Sequence, residues 1–543
     1  MGSIKQTSMS SEKPSAPARG ASLGDAKARI PKNVIFNFAG YAANILITFL
    51  IAPLLVHRLG DTAYGVWGLI SEILGYSFLL DFGIRIAVTR YIGRHLALDE
   101  PEAMNRVLTT GLVFSAGSVV IVLTGGVVLA FLLPRLFSIP PRLVSDSRLT
   151  VVIVATALAS SFPGSLFNGC VAALSRYDLL NIRNVAPNVI RALLLWFFLD
   201  RGYGLLAVAL ISSSTFVLAF ILDFYFASRH LPGFAIERRF FDLSALRTLV
   251  DFSVYAFLLS VSWRLLFMTD NLVVGFVLGP AAVTFYTVGM NLADLLRGSL
   301  GNISNLFAPL AAQMHALEQQ HSLQRLLFKG SRMTLLYALA GVGGLIVLGP
   351  QFLGFWMGQA FIGRTGPILI ALVVEVACYA LAYTCGQVLY GMNRHRFYAW
   401  LSMLQAATNF ALSTILIRRF GPLGVALGTV IPALVVEALL LPVYTCRVLE
   451  VSIHRFYASS VARPLAILVP YVAWLWMLRA GGLVQGYFSL ALAVASGLLV
   501  YALLGWWFVF DSEERERAWR SIGRLVGIIT GGRQLGHYGE RDG

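Results

Sequence analysis

Charge is what this chain has least of. Only 13% of its 543 residues are Asp, Glu, Lys or Arg, against 57% hydrophobic residues, and the mean hydropathy is +0.74. A water-soluble fold of this length cannot cover its surface with so few charges, so a set of soluble domains is excluded. Cysteine is scarce too: Cys170, Cys378, Cys385 and Cys446 lie in or at the ends of apolar runs without zinc spacing, which makes them small buried hydrophobes. None of the eight histidines lies deep inside an apolar run, which removes an intramembrane histidine relay or zinc site. Long polar segments are absent between the runs. The longest connections are 227–247, 312–331 and the tail after Phe510, leaving no room for a separate catalytic domain. No cofactor, no metal and no enzymatic activity are expected. The first 32 residues, rich in Ser, Ala, Pro and Lys, lack the apolar core of a secretory signal and read as a disordered cytoplasmic tail.

What is present is fourteen apolar runs. They fall near 33–56, 65–84, 107–133, 149–174, 184–199, 203–226 and 248–276, then 281–311, 332–356, 366–391, 397–417, 422–446, 462–479 and 486–510. About 20 apolar residues cross the hydrocarbon core, and every spanning amide must be satisfied internally, so such runs predict helices. A transmembrane barrel would show shorter, alternating segments. The expected fold is an all-α integral membrane protein of about 14 transmembrane helices. With the N-terminus inside, 30 of the 42 Lys and Arg residues fall on the cytoplasmic side and 9 on the other. That bias places both termini in the cytoplasm. It also accounts for the +15 net charge without nucleic acid, since basic loops face anionic membrane lipids.

The chain also repeats itself. Gly204-Leu205-Leu206-Ala207-Val208-Ala209-Leu210 falls on Gly421-Pro422-Leu423-Gly424-Val425-Ala426-Leu427, Leu59-Gly60 on Leu278-Gly279, and Ala63-Tyr64-Gly65-Val66 on Phe285-Tyr286-Thr287-Val288. Glu72 and Asp294 both lie nine residues into that last match. The offset of about 220 residues covers six runs, an even number, so the two copies enter the membrane in the same direction. The expected organisation is a tail (1–32), a first lobe (33–226), a cytoplasmic linker (227–247), a second lobe (248–446), two additional helices (462–510) and a cytoplasmic C-terminal tail (511–543).

A charge at mid-bilayer costs several kcal/mol on insertion scales, so residues placed there face a cavity or a partner. The deepest are Glu72, Arg191, Arg264, Asp270, Asp294, Arg297, Glu375 and Glu437, with Asp81, Arg85 and Arg90 toward the cytoplasmic end of the second run. Asp81 with Arg85, and Asp294 with Arg297, have the spacing of intrahelical ion pairs. Arg85 and Arg90 also sit where snorkelling arginines belong. Arg264 has no acid within a turn, and Glu375 and Glu437 have no basic residue within a turn. A guanidinium binds phosphate or carboxylate through a planar fork and keeps its proton, so an arginine-lined chamber suits an anionic substrate. Carboxylates beside it suit a coupling proton or sodium ion; the candidates are Glu72, Asp270, Asp294, Glu375 and Glu437.

The stretch Leu59-Gly60-Asp61-Thr62-Ala63-Tyr64-Gly65-Val66-Trp67-Gly68-Leu69, followed by Leu80-Asp81-Phe82-Gly83-Ile84 and Thr89-Arg90-Tyr91, resembles a signature of polysaccharide-biosynthesis transporters. Arg176, the run before Gly204, and Gly421-Pro422-Leu423-Gly424 match that group's later connections. The resemblance is to the Wzx-like flippases of the multidrug/oligosaccharidyl-lipid/polysaccharide (MOP) exporter superfamily. It implies two six-helix lobes around a central cavity, plus two extra helices. It further implies that a monomer flips undecaprenyl-diphosphate-linked oligosaccharide across a bacterial inner membrane by alternating access, alongside polysaccharide polymerase and export machinery. Cavity arginines of such flippases hold the lipid diphosphate or acidic sugars, a role the resemblance carries to Arg85, Arg90, Arg264 and Arg297. The rival within the superfamily is a cation-coupled multidrug exporter. Such exporters often carry an acid in the first span, whereas residues 33–56 contain neither Asp nor Glu, and Arg264 would repel a cationic drug. A membrane-embedded glycan polymerase or ligase would need a large external loop, and the external loops here are short.

Overall fold

The computed structural model describes residues 45–81, 84–174, 176–242, 261, 264, 268–304, 307–394, 396–512 and 514–516, and among these it contains helices and no strand. In chain order they are α1 (Ile45–Leu59), α2 (Asp61–Gly75), α3 (Ile84–Ala97), α4 (Pro101–Leu136), α5 (Pro141–Ala159), α6 (Ser161–Ala173), α7 (Tyr177–Asp200) and α8 (Leu205–His230). There follow α9 (Thr269–Leu278), α10 (Pro280–Ser304), α11 (Phe307–Ala316), α12 (Gln320–Trp356), α13 (Ala360–Gly391), α14 (Arg396–Phe420), α15 (Pro422–Val448), α16 (Ile453–Ala480) and α17 (Tyr487–Val509). Among the described residues ten stretches are long and apolar enough to cross a membrane, taking α5 and α6 together as Pro141–Ala173, and each coincides with one of the predicted runs. The seventh run lies largely outside the described residues. The eighth, α10, has spanning length but carries Asn291, Asp294 and Arg297.

Several helices depart from the expected boundaries: α12 begins twelve residues before the run read as 332–356, so most of the connection read as 312–331 is helical, and α16 begins nine residues before the run read as 462–479. The fifth run, read as 184–199, is the C-terminal part of α7, which begins seven residues earlier because Asp178, Asn181 and Arg183 are helical without being apolar. The fourth run breaks at Ser160, between α5 and α6. Pro163 sits in the first turn of α6, where a missing amide proton is tolerated.

The described residues form two compact units. The first draws on the described residues within 45–58, 74–132 and 145–242, the second on those within 59–73, 133–144 and 261–516. In the first unit, Ile84, Ala87, Val88 and Ile92 mark one face of α3 at helical spacing and pack on Leu166, Phe167, Cys170 and Val171 of α6. Thr89 Oγ1 reaches the Gly169 carbonyl at 3.2 Å, and a Cβ on Gly169 would press on the Arg85 carbonyl, so glycine permits this approach. Lipid is as apolar as leucine, so helix contacts inside a bilayer rely on such close packing rather than on burial from water.

In the second unit α13 is the most enclosed of the ten, with 72% of its apolar window buried. The two C-terminal helices pack on α12. Tyr471 of α16 and Tyr501 of α17 donate hydroxyl hydrogen bonds of 2.9 Å to the Ala340 and Leu336 carbonyls, and Leu335, Leu339, Ile467, Leu475 and Ala493 fill the space between. Residues of α2 belong to this unit because they pack on α9 and α10. Gly65 meets the Pro280 carbonyl, Leu69 lies over Gly275, and Thr284 donates to the Asp61 carbonyl at 2.6 Å. The repeated motif keeps its burial: Ala63, Tyr64 and Val66 are buried, as are Phe285, Tyr286 and Val288.

Candidate functional site

Within the second unit, one network gathers all five acids expected for ion coupling into its charged interior. Its centre is Arg297 on α10. One guanidinium nitrogen bonds Asp294, three residues back on the same helix, and the other reaches Glu375 of α13 at 2.5 Å. Arg297 and Glu375 are almost fully enclosed, whereas the Asp294 side chain is 41% exposed and therefore the weaker partner. The intrahelical pair read from spacing is present, and Glu375, unpartnered on its own helix, finds its cation across the helix interface.

Asp270 lies in the first turn of α9, buried at 3% exposure. Its Oδ2 accepts hydrogen bonds from Tyr286 (2.6 Å) and Thr429 (2.8 Å), while its Oδ1 is buried without a hydrogen-bond partner among the described residues. Thr429 in turn accepts from Asn409 at 3.1 Å, so α9, α10, α14 and α15 meet through polar side chains. Neighbouring Asn271 accepts from Thr287 at 3.1 Å and stands against Glu72 of α2. Asp294, Asp270 and Arg264 are the charged neighbours of Glu72. The two carboxylates matched by the repeat, Glu72 and Asp294, therefore stand in one cluster.

Glu437 occupies a wide helical turn, Val436–Leu440, inside α15. Pro442 cannot donate to the carbonyl four residues back, and that carbonyl, on Ala438, accepts the Tyr457 hydroxyl instead. The widened turn presents Glu437 to Gln405 of α14, whose amide donates at 2.9 Å. Such one-turn bulges recur at functional positions.

The four arginines divide between the two units. Arg297 belongs to the acidic network, and Arg264, also in the second unit, contacts the Met268 sulfur at 3.0 Å. Arg85 and Arg90 lie on the exposed face of α3 in the first unit. Asp81 does not form the expected close ion pair with Arg85 among the described contacts; its carboxylate accepts from Ser165 at 2.6 Å. A second buried charge escaped the depth argument. Asp223 of α8, fully buried, is held by Arg183 and Asn168, both at 2.9 Å. It sits near the end of its run, where a carboxylate looks like a boundary residue. The four cysteines are free and buried, as expected of small hydrophobes.

Five acids against two arginines leave an interior of net negative formal charge, crossed by hydroxyl and amide donors that can reorient. Such an arrangement can bind and release a proton or a small cation. No group of three metal-ligating side chains occurs among the described residues.

The family model described as "Polysaccharide biosynthesis protein" matches residues 30–315, more than half of the chain. The chain belongs to the polysaccharide biosynthesis protein family. It is 24% identical to "Uncharacterized membrane protein EpsK" of Bacillus subtilis over 92% of this chain and 99% of that one. It is 21% identical to "Probable low-salt glycan biosynthesis flippase Agl15" of Haloferax volcanii, over 52% of this chain and 58% of that protein. The fold is that of MOP-superfamily transporters. An inward-closed structure of the lipid II flippase MurJ aligns with a TM-score of 0.66 at 13% identity, covering 87% of this chain and 98% of that one. An inward-facing multidrug resistance MATE family transporter of the MOP superfamily aligns at 0.63 and 15% identity, covering 78% and 100%. This member of the family is thus a multi-pass membrane protein with the two additional C-terminal helices α16 and α17 packed on α12.

Proposed function

We propose that this protein is a flippase that moves a lipid-linked oligosaccharide, carried on undecaprenyl diphosphate, across a bacterial inner membrane for polysaccharide biosynthesis. Family membership over residues 30–315 is the observation that carries the reading, and the name of the Haloferax volcanii relative, a probable glycan biosynthesis flippase, agrees with it. The mechanism is alternating access, with the repeat copies 33–226 and 248–446 as the moving parts and both termini cytoplasmic. In this reading the chain acts as a monomer that delivers its product to polymerase and export machinery.

Arg85, Arg90 and Arg264 take the diphosphate and first sugars, because forked guanidinium groups recognise phosphate at several oxygens together. Arg297 takes a different part from the one expected of it. With both forks engaged by Asp294 and Glu375, it holds the acidic network rather than the substrate. Glu72, Asp270, Asp294, Glu375 and Glu437 form the coupling site, where a proton or cation shifts the balance between two arrangements of α9, α10 and α15. The multidrug-exporter reading shares the fold, but the family and the Arg264 guanidinium favour an anionic cargo.

The test is glycan export in a deletion strain. Arg264→Ala inserts normally and loses export, and Arg264→Lys recovers part of it. Full export by Arg264→Ala, at normal protein level, would remove Arg264 from the substrate path.

A further inference from the structure

A charged cavity lined by none of the acidic network's residues lies in the same unit. It encloses about 540 Å³ between the start of α12, the loop 449–452, the first turn of α16 and Asp511 beyond α17. Lys329, Arg332 and Arg455 line it, together with Arg325 and His321. Asp511 and Glu514 answer part of that charge. Glu514 bonds Lys329 at 2.9 Å and Arg332 at 2.5 Å, while Asp511 bonds Arg332 at 3.4 Å and Arg463 at 3.1 Å. Arg325 touches only the Ser322 hydroxyl, at 3.4 Å, among its described contacts, and Arg455 has no carboxylate partner among the described residues. Glu450, also at the cavity, forms an ion pair with neither.

Two helix N-termini open onto the same space. His321 and Gln324 belong to the first turns of α12, and Gln320 and Gln324 tie that turn to the Leu449 carbonyl at 3.2 and 2.9 Å. Ser452, the residue before α16, makes no side-chain capping bond, so its hydroxyl and the first amides of α16 remain available. Arg332 adds a third element: its side chain is only 5% exposed, and its Nε lies buried without a hydrogen-bond partner at the cavity wall. Unanswered guanidinium groups, positive helix ends and a cavity of ligand size converge here.

We infer that this cavity binds a phosphate-bearing anion, through Arg325, Arg455, Ser452 and the N-terminus of α16. Basic pockets between transmembrane helices take phospholipid headgroups by this chemistry, and a soluble phosphate compound offers the same oxygens. The bound anion neutralises Arg325 and Arg455 while Asp511 and Glu514 keep Lys329 and Arg332.

The test uses the full chain in phosphatidylcholine nanodiscs titrated with inorganic pyrophosphate, and native mass spectrometry of the protein purified with phosphatidylglycerol. Both are repeated on the Arg325→Ala/Arg455→Ala double variant, and on Arg418→Ala as a basic control from the last turn of α14. The wild type and the control bind at least one probe, and the double variant binds it at least tenfold more weakly. Saturable pyrophosphate binding in phosphatidylcholine identifies a soluble ligand; retained phosphatidylglycerol without it identifies a lipid headgroup. Both side chains lie on the surface, and melting of the double variant without probe checks its fold. Equal binding of both probes by wild type and double variant, or no binding by the wild type, overturns the inference.

Discussion

Removing Arg297 should damage the second unit more than removing Arg297 and Glu375 together. The guanidinium holds Glu375 at 2.5 Å, with both side chains at 5% exposure or less. Breaking a buried pair by deleting one partner costs about 3–5 kcal/mol, because the remaining charge stays in a low-dielectric site without compensation. Asp294 adds little, since 41% of its side chain meets solvent or cavity. In Arg297→Ala the formal charge of the trio falls from −1 to −2. In Arg297→Met/Glu375→Gln it stays at −1 with the space refilled, so the double variant recovers much of the loss. Arg297→Lys lies closer to wild type, because an ammonium supplies the charge without the fork. The buried cysteines provide the assay. Cys378 is one turn from Glu375, and Cys170, Cys385 and Cys446 are 1% exposed or less, so a thiol-reactive fluorophore reports unfolding in detergent. The expected order of melting temperatures is wild type, Arg297→Lys, Arg297→Met/Glu375→Gln, Arg297→Ala. Arg297→Ala melting with the wild type, or the double variant melting below it, would refute the ion-pair argument.

The remaining predictions use the same melt or an export readout. Gly65→Ala places a Cβ 1.8 Å from the Pro280 carbonyl oxygen and should cost about 1–3 kcal/mol, whereas Gly117→Ala, facing open space, should leave the melt unchanged. Tyr286→Phe removes one of two donors to Asp270 and should cost about 1–3 kcal/mol; the loss should be smaller in an Asp270→Asn background, read as a double-mutant cycle. Partial burial tends to raise the Asp511 carboxyl, but Arg332 and Arg463 prevail and hold it below its ordinary value of 3.8. Its contribution is therefore present above pH 3.8 and lost as pH falls through the lower folded value, so Asp511→Asn melts below wild type at pH 7 and the gap closes as the pH drops below 3.8.

Sequence and structure agree where the bilayer imposes the rule. A span needs about 20 apolar residues, so α4, α8, α12, α13 and α15 announce themselves. The short helix α3 was not legible as an element, because Arg85, Arg90 and Arg94 cancel its apolar face in any hydropathy window. The five acids of the network were found by their depth. Their partners Tyr286, Asn271, Thr429, Asn409 and Gln405 were not, because neutral polar side chains occur throughout membrane helices and only packing decides which ones meet. Arg297 shows the limit most clearly. Its three-residue spacing to Asp294 was visible, but Glu375, 78 residues away, is what commits its second nitrogen.

Flipping itself is the direct measurement. Purified protein is reconstituted into proteoliposomes carrying a fluorescent undecaprenyl-diphosphate oligosaccharide, and a membrane-impermeant glycosidase reports how much of it reaches the outside. The account predicts that the inner-leaflet pool becomes accessible with wild type and stays protected with Arg264→Ala. Protection with wild type equal to that in protein-free liposomes, together with active efflux of a cationic dye, would contradict it.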